Sequence, residues 1–236
     1  MATEYLSIHL NPLAFFKIDE PFSQLENKEL SLEDIFVYIC TPGENRDIKV
    51  LEKRYKEISR GNKNLFAAPN EERILQKLIW PLRHAKSNYM LGNYIGTIAL
   101  CGMVAEMISI LLFEISEFRF KNRQMTNDDQ KAIFGSAFEK LPQERRVKIL
   151  CAYDIVSQET KKLFDLIRVK RNRYLHLWSQ DIDNLSKDSI DIFNATLSLV
   201  VELIGQDIVD GKIVLRPAML KYLKRKGLFT TEIDND

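Results

Sequence analysis

Cysteine and histidine are both scarce, with three of each in 236 residues. Cys40, Cys101 and Cys151 are widely spaced and odd in number, so they build neither a disulfide framework nor a thiolate metal site. Buried, reduced thiols in a cytosolic protein are the simplest reading. His9 and His84 lack a second ligand one helical turn away, which argues against a metal site at either. An excess of charge is also missing, since 34 Lys and Arg face 33 Asp and Glu. This excludes a coat of basic charge but allows a local patch. The sequence has no glycine-rich phosphate loop, nucleophile elbow or zinc-finger spacing, which removes the usual NTPase, hydrolase and finger readings. The start of the chain has acidic Glu4 and no cationic-then-apolar leader, so a cytoplasmic protein is expected.

What is present is ample apolar content, 45% of residues, enough for a substantial core. Residues 95–113 form a run near bilayer length, interrupted by Glu106. A carboxylate at a bilayer centre would cost about 2–3 kcal/mol or more. The run has neither anchor belts nor a second span to accompany it. A central helix buried in a bundle fits better, with Glu106 paired to a cation such as Arg171 or Arg168, or to a backbone group.

Proline and glycine punctuate the first eighty residues densely, at Pro12, Pro21, Pro42, Gly43, Gly61 and Pro69. A helix start at 31–34, a strand at 35–39 and an exposed helix over 47–59 are expected there. Helical signals dominate afterwards. A helix near 70–80 meets Pro81, which kinks it or restarts it. Gly92 and Gly96 open the apolar helix, and 119–129 is a polar connection. A helix starting near Asn127 should contain Ile133, Phe134 and Phe138. Pro142 and Ser157 then open two more helices. Spacing predicts a last long helix over 188–209, a short strand at 212–215 and a helix at 221–226. The six cations of 212–226 make either a solvated tail, which is favoured, or an extension of an RNA-binding surface.

Residues 161–178, KKLFDLIRVKRNRYLHLW, carry the chemistry. Six cations and one acid, Asp165, lie between residues 161 and 176. Leu163, Ile167, Leu175 and Trp178 form an apolar seam, and its missing member is Arg171. A guanidinium facing a dry core is costly. Either the helix breaks near Arg171, or that residue faces a cleft holding anions or water. Arg168, Asn172 and His176 share a second stripe. Arginine binds phosphate oxygens in pairs, and imidazole moves protons near neutrality. Together they suit metal-free RNA cleavage. His176 would draw the proton from a ribose 2′-hydroxyl, and Arg171 would stabilise charge growing on the phosphate. Asn172 could orient the imidazole or donate to phosphate. Arg168, Lys170 and Arg173 supply further cations for the RNA backbone.

Arg171-Asn172-Arg173-Tyr174-Leu175-His176 resembles the R-x4–6-H motif of HEPN domains, with a polar residue directly after the arginine. The apolar helix over 93–113 resembles the helix that precedes the motif in that family, and the likeness covers about residues 80–205. The resemblance implies an all-α, HEPN-like helical bundle over 80–210, flanked by a mixed N-terminal extension (1–79, with one or two short strands) and a basic C-terminal tail (211–236). It implies a metal-independent endoribonuclease, a toxin or phage-defence effector, with Arg171 and His176 catalytic and no cofactor. RNA is the expected partner, with a homodimer whose active cleft lies at the interface, and an antitoxin or defence-system partner besides. Some such toxins carry a modifiable tyrosine two residues after the histidine. Here that position is Trp178, so this mode of neutralisation is not expected, with Tyr174 a weak substitute.

Other readings compete. Asp181, Asp183, Asp188 and Asp191 suggest a Mg²⁺ cluster, although acids ahead of a helix start are favoured by the dipole alone. The alternative function is a non-catalytic module binding RNA, nucleotide or protein. A third is a helical interaction protein whose basic helix is merely a solvated surface.

Overall fold

The computed structural model describes residues 47–60, 75–176, 183–203, 205–209 and 212–227. The chain divides into two units, Met1–Asn45 and Arg46–Asp236, and every described residue belongs to the second. The helix start expected at 31–34 and the strand expected at 35–39 lie outside the described residues.

Asp47 opens helix α1 (Ile48–Ser59) by accepting the Lys49 N–H at 2.9 Å. Ile58 anchors this highly charged helix in the core. A π-helical turn, Leu75–Ile79, then leads into α2 (Trp80–Leu91), with Pro81 in its first turn. Proline offers no N–H to the carbonyl four residues back and its ring crowds that carbonyl, so the helix widens and restarts. α2 closes on Gly92 at φ +93°, and Arg54 of α1 donates to the Met90 carbonyl beside it at 3.1 Å.

Asn93 caps α3 (Tyr94–Ile115), its side chain accepting the Gly96 N–H at 2.9 Å. Among the described residues α3 is the one helix long and apolar enough to cross a membrane by length and composition. In this fold Ile98, Cys101, Val104, Ala105 and Ile108 of α3 are wholly enclosed by protein. Burial pushes the Cys101 thiol up to about 12, so it stays neutral and inert.

The polar connection after α3 contains a hairpin, β1 (Arg119–Phe120) paired with β2 (Arg123–Gln124). Lys121 and Asn122 take φ of 51° and 62°, as the tight two-residue turn requires. Thr126 and Asp129 cap α4 (Asn127–Phe134) reciprocally, and Gly135 ends it at φ +78°. That glycine leaves Phe138 outside the helix expected to contain it. Phe138 sits in a 3₁₀ turn, stacked on Phe113 at 4.0 Å between ring centroids.

Pro142 precedes α5 (Gln143–Ala152), and the Ser157 hydroxyl caps α6 (Gln158–His176) through the Thr160 N–H at 3.0 Å. α7 (Leu185–Leu203) is shorter than expected. Residues 205–209 leave the helix and become β3 (Gly205–Val209), antiparallel to β4 (Lys212–Leu215). Gly205 disfavours a continuing helix, while the β-branched residues Ile208, Val209, Ile213 and Val214 favour a ribbon.

Over its described part the basic C-terminal segment is not a solvated tail. α8 (Pro217–Arg225) buries Met219 and Leu223, one turn apart, and links Tyr222 to Glu114 of α3 and Arg225 to Glu117 just beyond its end. Apolar spacing docks the helix, and its cations face the acids or water. α7 and α2 pack most extensively on α3, followed by α6 and α5. Apart from the two ribbons, the described chain is all-α.

Candidate functional site

α6 runs unbroken through Arg171 to His176, so there is no helix break, and the expected seam stops being buried after Ile167, since Leu175 is exposed. Arg171 instead lies across α3 at Gly102. A Cβ on Gly102 would come within 2.3 Å of Arg171 Cδ, so only glycine leaves room for this arginine. The guanidinium Nη1 donates to Glu106 Oε1, and the other Glu106 oxygen lies 3.8 Å from Arg146 Nη2. The Arg146 side chain is only 4% exposed, and its Nη1 donates to the Glu139 carbonyl at 3.1 Å. Burial lowers the Arg146 guanidinium from its ordinary value, and the neighbouring Arg171 adds to this while Glu106 opposes it. Glu106 is therefore the shared counter-charge of two arginines from different helices.

These groups border a cleft of about 340 Å³ between α5 and α6. Gln143, Arg146, Arg168, Arg171 and Asn172 line it together with Glu106 and Glu144. Arg168 is held by Asp165 at 3.3 Å and by Glu144 at 3.4 Å. Five buried polar atoms here have no hydrogen-bond partner. They are the Nε of Arg146, Arg168 and Arg171, and both amide atoms of Gln143. Buried polar groups without a partner in the protein call for water or a ligand, and five at one cleft make it the candidate site.

The six residues singled out in the sequence separate into three groups. Arg168, Arg171 and Asn172 meet at the cleft. Lys170 and Arg173 point instead toward α7. Lys170 bridges Asp188 at 2.9 Å and Asp191 at 2.7 Å, and Arg173 reaches Asp188 at 3.4 Å. Helical periodicity puts residues 170 and 173 on the face that α7 covers. His176 is exposed at the end of α6, on the stripe of Arg168 and Asn172, about 6 Å of rise beyond Asn172.

No family model, curated protein or solved structure gives a significant match to this chain.

Asp188 and Asp191 serve α6 as counter-charges, and Tyr174 donates to Asp188 at 2.7 Å. Among the described residues no group of three or more His, Cys, Asp or Glu side chains could hold a metal ion. Asp181 and Trp178 lie outside the described residues, and His84 is exposed on α2.

Gln143, Arg146 and Gly102 escaped sequence reasoning. One signal was available: Gln143 and Arg146 share a helical face with Val147 and Leu150, both buried. Polar residues on an apolar stripe are the same anomaly that exposed Arg171.

Burial alone would raise the Asp188 carboxyl, but hydrogen bonds from Lys170 and Tyr174 and the nearby charges hold it below its ordinary value. Lys170 is raised, since the two aspartates outweigh its own desolvation. The Asp188 contribution is thus complete above the ordinary carboxyl value and is lost as pH falls through the lower folded one. The Lys170 contribution is complete below the ordinary lysine value and is lost as pH rises through its higher folded one. Thermal melts should be flat from about pH 5 to 8 and fall below about pH 4. Asp188→Ala should cost about 2–4 kcal/mol at pH 7 and shrink that acid loss.

Proposed function

We propose that this chain is a metal-independent endoribonuclease of the HEPN type. The observation that supports it best is the α6 stripe: Arg168 and Asn172 line the arginine-bearing cleft, and the exposed His176 continues that line. The His176 imidazole takes the proton from a ribose 2′-hydroxyl, and the freed oxygen attacks the adjoining phosphorus. Arg171 stabilises the charge on the phosphate oxygens. The bond to the 5′-oxygen breaks, that oxygen takes a proton from solvent, and a 2′,3′-cyclic phosphate remains.

In this reading the chain works in the cytoplasm as a toxin or phage-defence effector, with an antitoxin or defence-system partner. A second copy completes the cleft. Exposed Met103 on α3 and Val169 and Leu175 on α6 supply apolar surface for it.

The second reading, a module that binds RNA without cutting it, draws on a different observation. Arg171 rests on Glu106, and His176 is not among the residues lining the cleft. Incubating purified protein with a panel of RNAs in EDTA separates the two. Cleavage to 2′,3′-cyclic phosphate ends supports the nuclease. Salt-sensitive binding with every RNA intact supports the module and sinks the nuclease.

A further inference from the structure

The unpartnered atoms of the cleft come from two helices, and only α6 enters the nuclease reading. Gln143 of α5 is 6% exposed and Arg146 is 4% exposed, yet both amide atoms of the first and the Nε of the second lack partners. Burying such groups without hydrogen bonds is costly, and an ordinary core position would carry apolar side chains. Both residues line the cleft that Arg168 and Arg171 line from the other side.

The donor balance narrows the ligand. Three guanidinium Nε–H groups and the Gln143 amide N–H pair call for an acceptor-only group, which an ionised phosphate diester is. Gln143 Oε1 is the single orphan that requires a donor, such as a ribose hydroxyl. Phosphate beside hydroxyl is the chemistry of a ribonucleotide.

Charge identifies the group that must move. Arg146, Arg168 and Arg171 are balanced in the cleft by Glu106, Glu139 and Glu144. Glu106 is 38% exposed and is shared by Arg171 and Arg146. It can turn to water while a phosphate takes its place. Arg171 meets Glu106 through Nη1, which leaves Nε outside the bond. Once Glu106 departs, the Nε edge can grip phosphate with two parallel hydrogen bonds.

We propose that the cleft between α5 and α6 is a phosphate-ester subsite for an RNA nucleotide next to the scissile phosphate, with Gln143 and Arg146 as its binding residues. The nucleotide's position relative to the scissile bond rests on the ribonuclease reading; the phosphate chemistry does not.

The test uses the full chain carrying His176→Ala, in EDTA, so that bound RNA persists. Fluorescence anisotropy with a short labelled single-stranded RNA measures affinity, and a thermal melt follows each variant. Gln143→Met removes the amide at nearly constant volume. It should weaken RNA binding about tenfold, the loss of one hydrogen bond to a charged group. The same substitution should raise Tm by about 2–4 °C, because an orphaned amide leaves the interior. Arg146→Lys, which keeps the charge but loses the guanidinium fork, should also weaken binding.

Unchanged affinity in Gln143→Met, whatever its Tm, would overturn the subsite. Equal affinity for the matching DNA would overturn the ribose assignment. Tighter binding of inorganic phosphate than of RNA would assign the cleft to a free anion. Gln143-dependent binding by a protein that cuts no RNA would leave the subsite standing and end the nuclease reading. Cleavage by wild type with an unchanged KM in Gln143→Met would do the reverse.

Discussion

His176→Ala should lower RNA cleavage in EDTA by about 10²–10⁴-fold, the usual contribution of a positioned general base. The imidazole lies exposed at the end of α6, so Tm should change little, as for surface substitutions generally. Arg171→Ala should cost about 10²–10³-fold, since it removes a fixed cation from the charge that develops on phosphate. Unlike the histidine variant, it should also destabilise the fold. Glu106 would lose one of its two arginines, and the packing of Arg171 over Gly102 would go with it. Initial rates and melts measured together separate the two roles. Full activity in His176→Ala would remove the imidazole from the mechanism.

Gly102→Ala should lower cleavage about 10²-fold although residue 102 touches no substrate. Its new methyl would lie 2.3 Å from Arg171 Cδ, so the arginine must leave its groove on α3. A misplacement of about 1 Å in a catalytic group is enough for a loss of this size. Stability should change less than activity. Alanine in a helix gains about 1 kcal/mol over glycine, whereas overpacking costs about 1–3 kcal/mol. The net expectation is a loss of about 0–2 kcal/mol, read from a denaturant titration. Wild-type rates in a folded Gly102→Ala protein would show that the observed pose of Arg171 is not the working one.

Much of the fold was legible because its signals are local. Asn93, Pro142 and Ser157 mark helix starts through hydrogen bonds or fixed torsions within a few residues. The apolar length of α3 announced a central helix, and the charge at Glu106 announced a buried partner. Where local signals competed, the outcome was not legible. Helical spacing ran past Leu203, but residues 205–209 gained more from pairing with 212–215. Six cations over 212–226 suggested a solvated tail, yet Met219 and Leu223 were enough to dock α8.

The candidate site divides the same way. A cation in an apolar seam is visible in a bare sequence, so Arg171 stood out, and so did the stripe of Arg168, Asn172 and His176. Lys170 and Arg173 read as RNA-binding cations because the sequence shows the charges of α6 but not that Asp188 and Asp191 face them from the helix beside it. Gln143 and Arg146 lie on α5, and Gly102 and Glu106 on α3.

The helical spacing was enough by itself to determine that the described residues are all-α apart from short ribbons, and that an arginine interrupts an apolar seam. Only tertiary structure decided what the anomaly means. Periodicity defines which residues share a face of one helix, whereas packing chooses which faces meet. It was packing that set Arg171 over Gly102, gave Glu106 two arginines, and left Gln143 without a partner at the edge of a cleft.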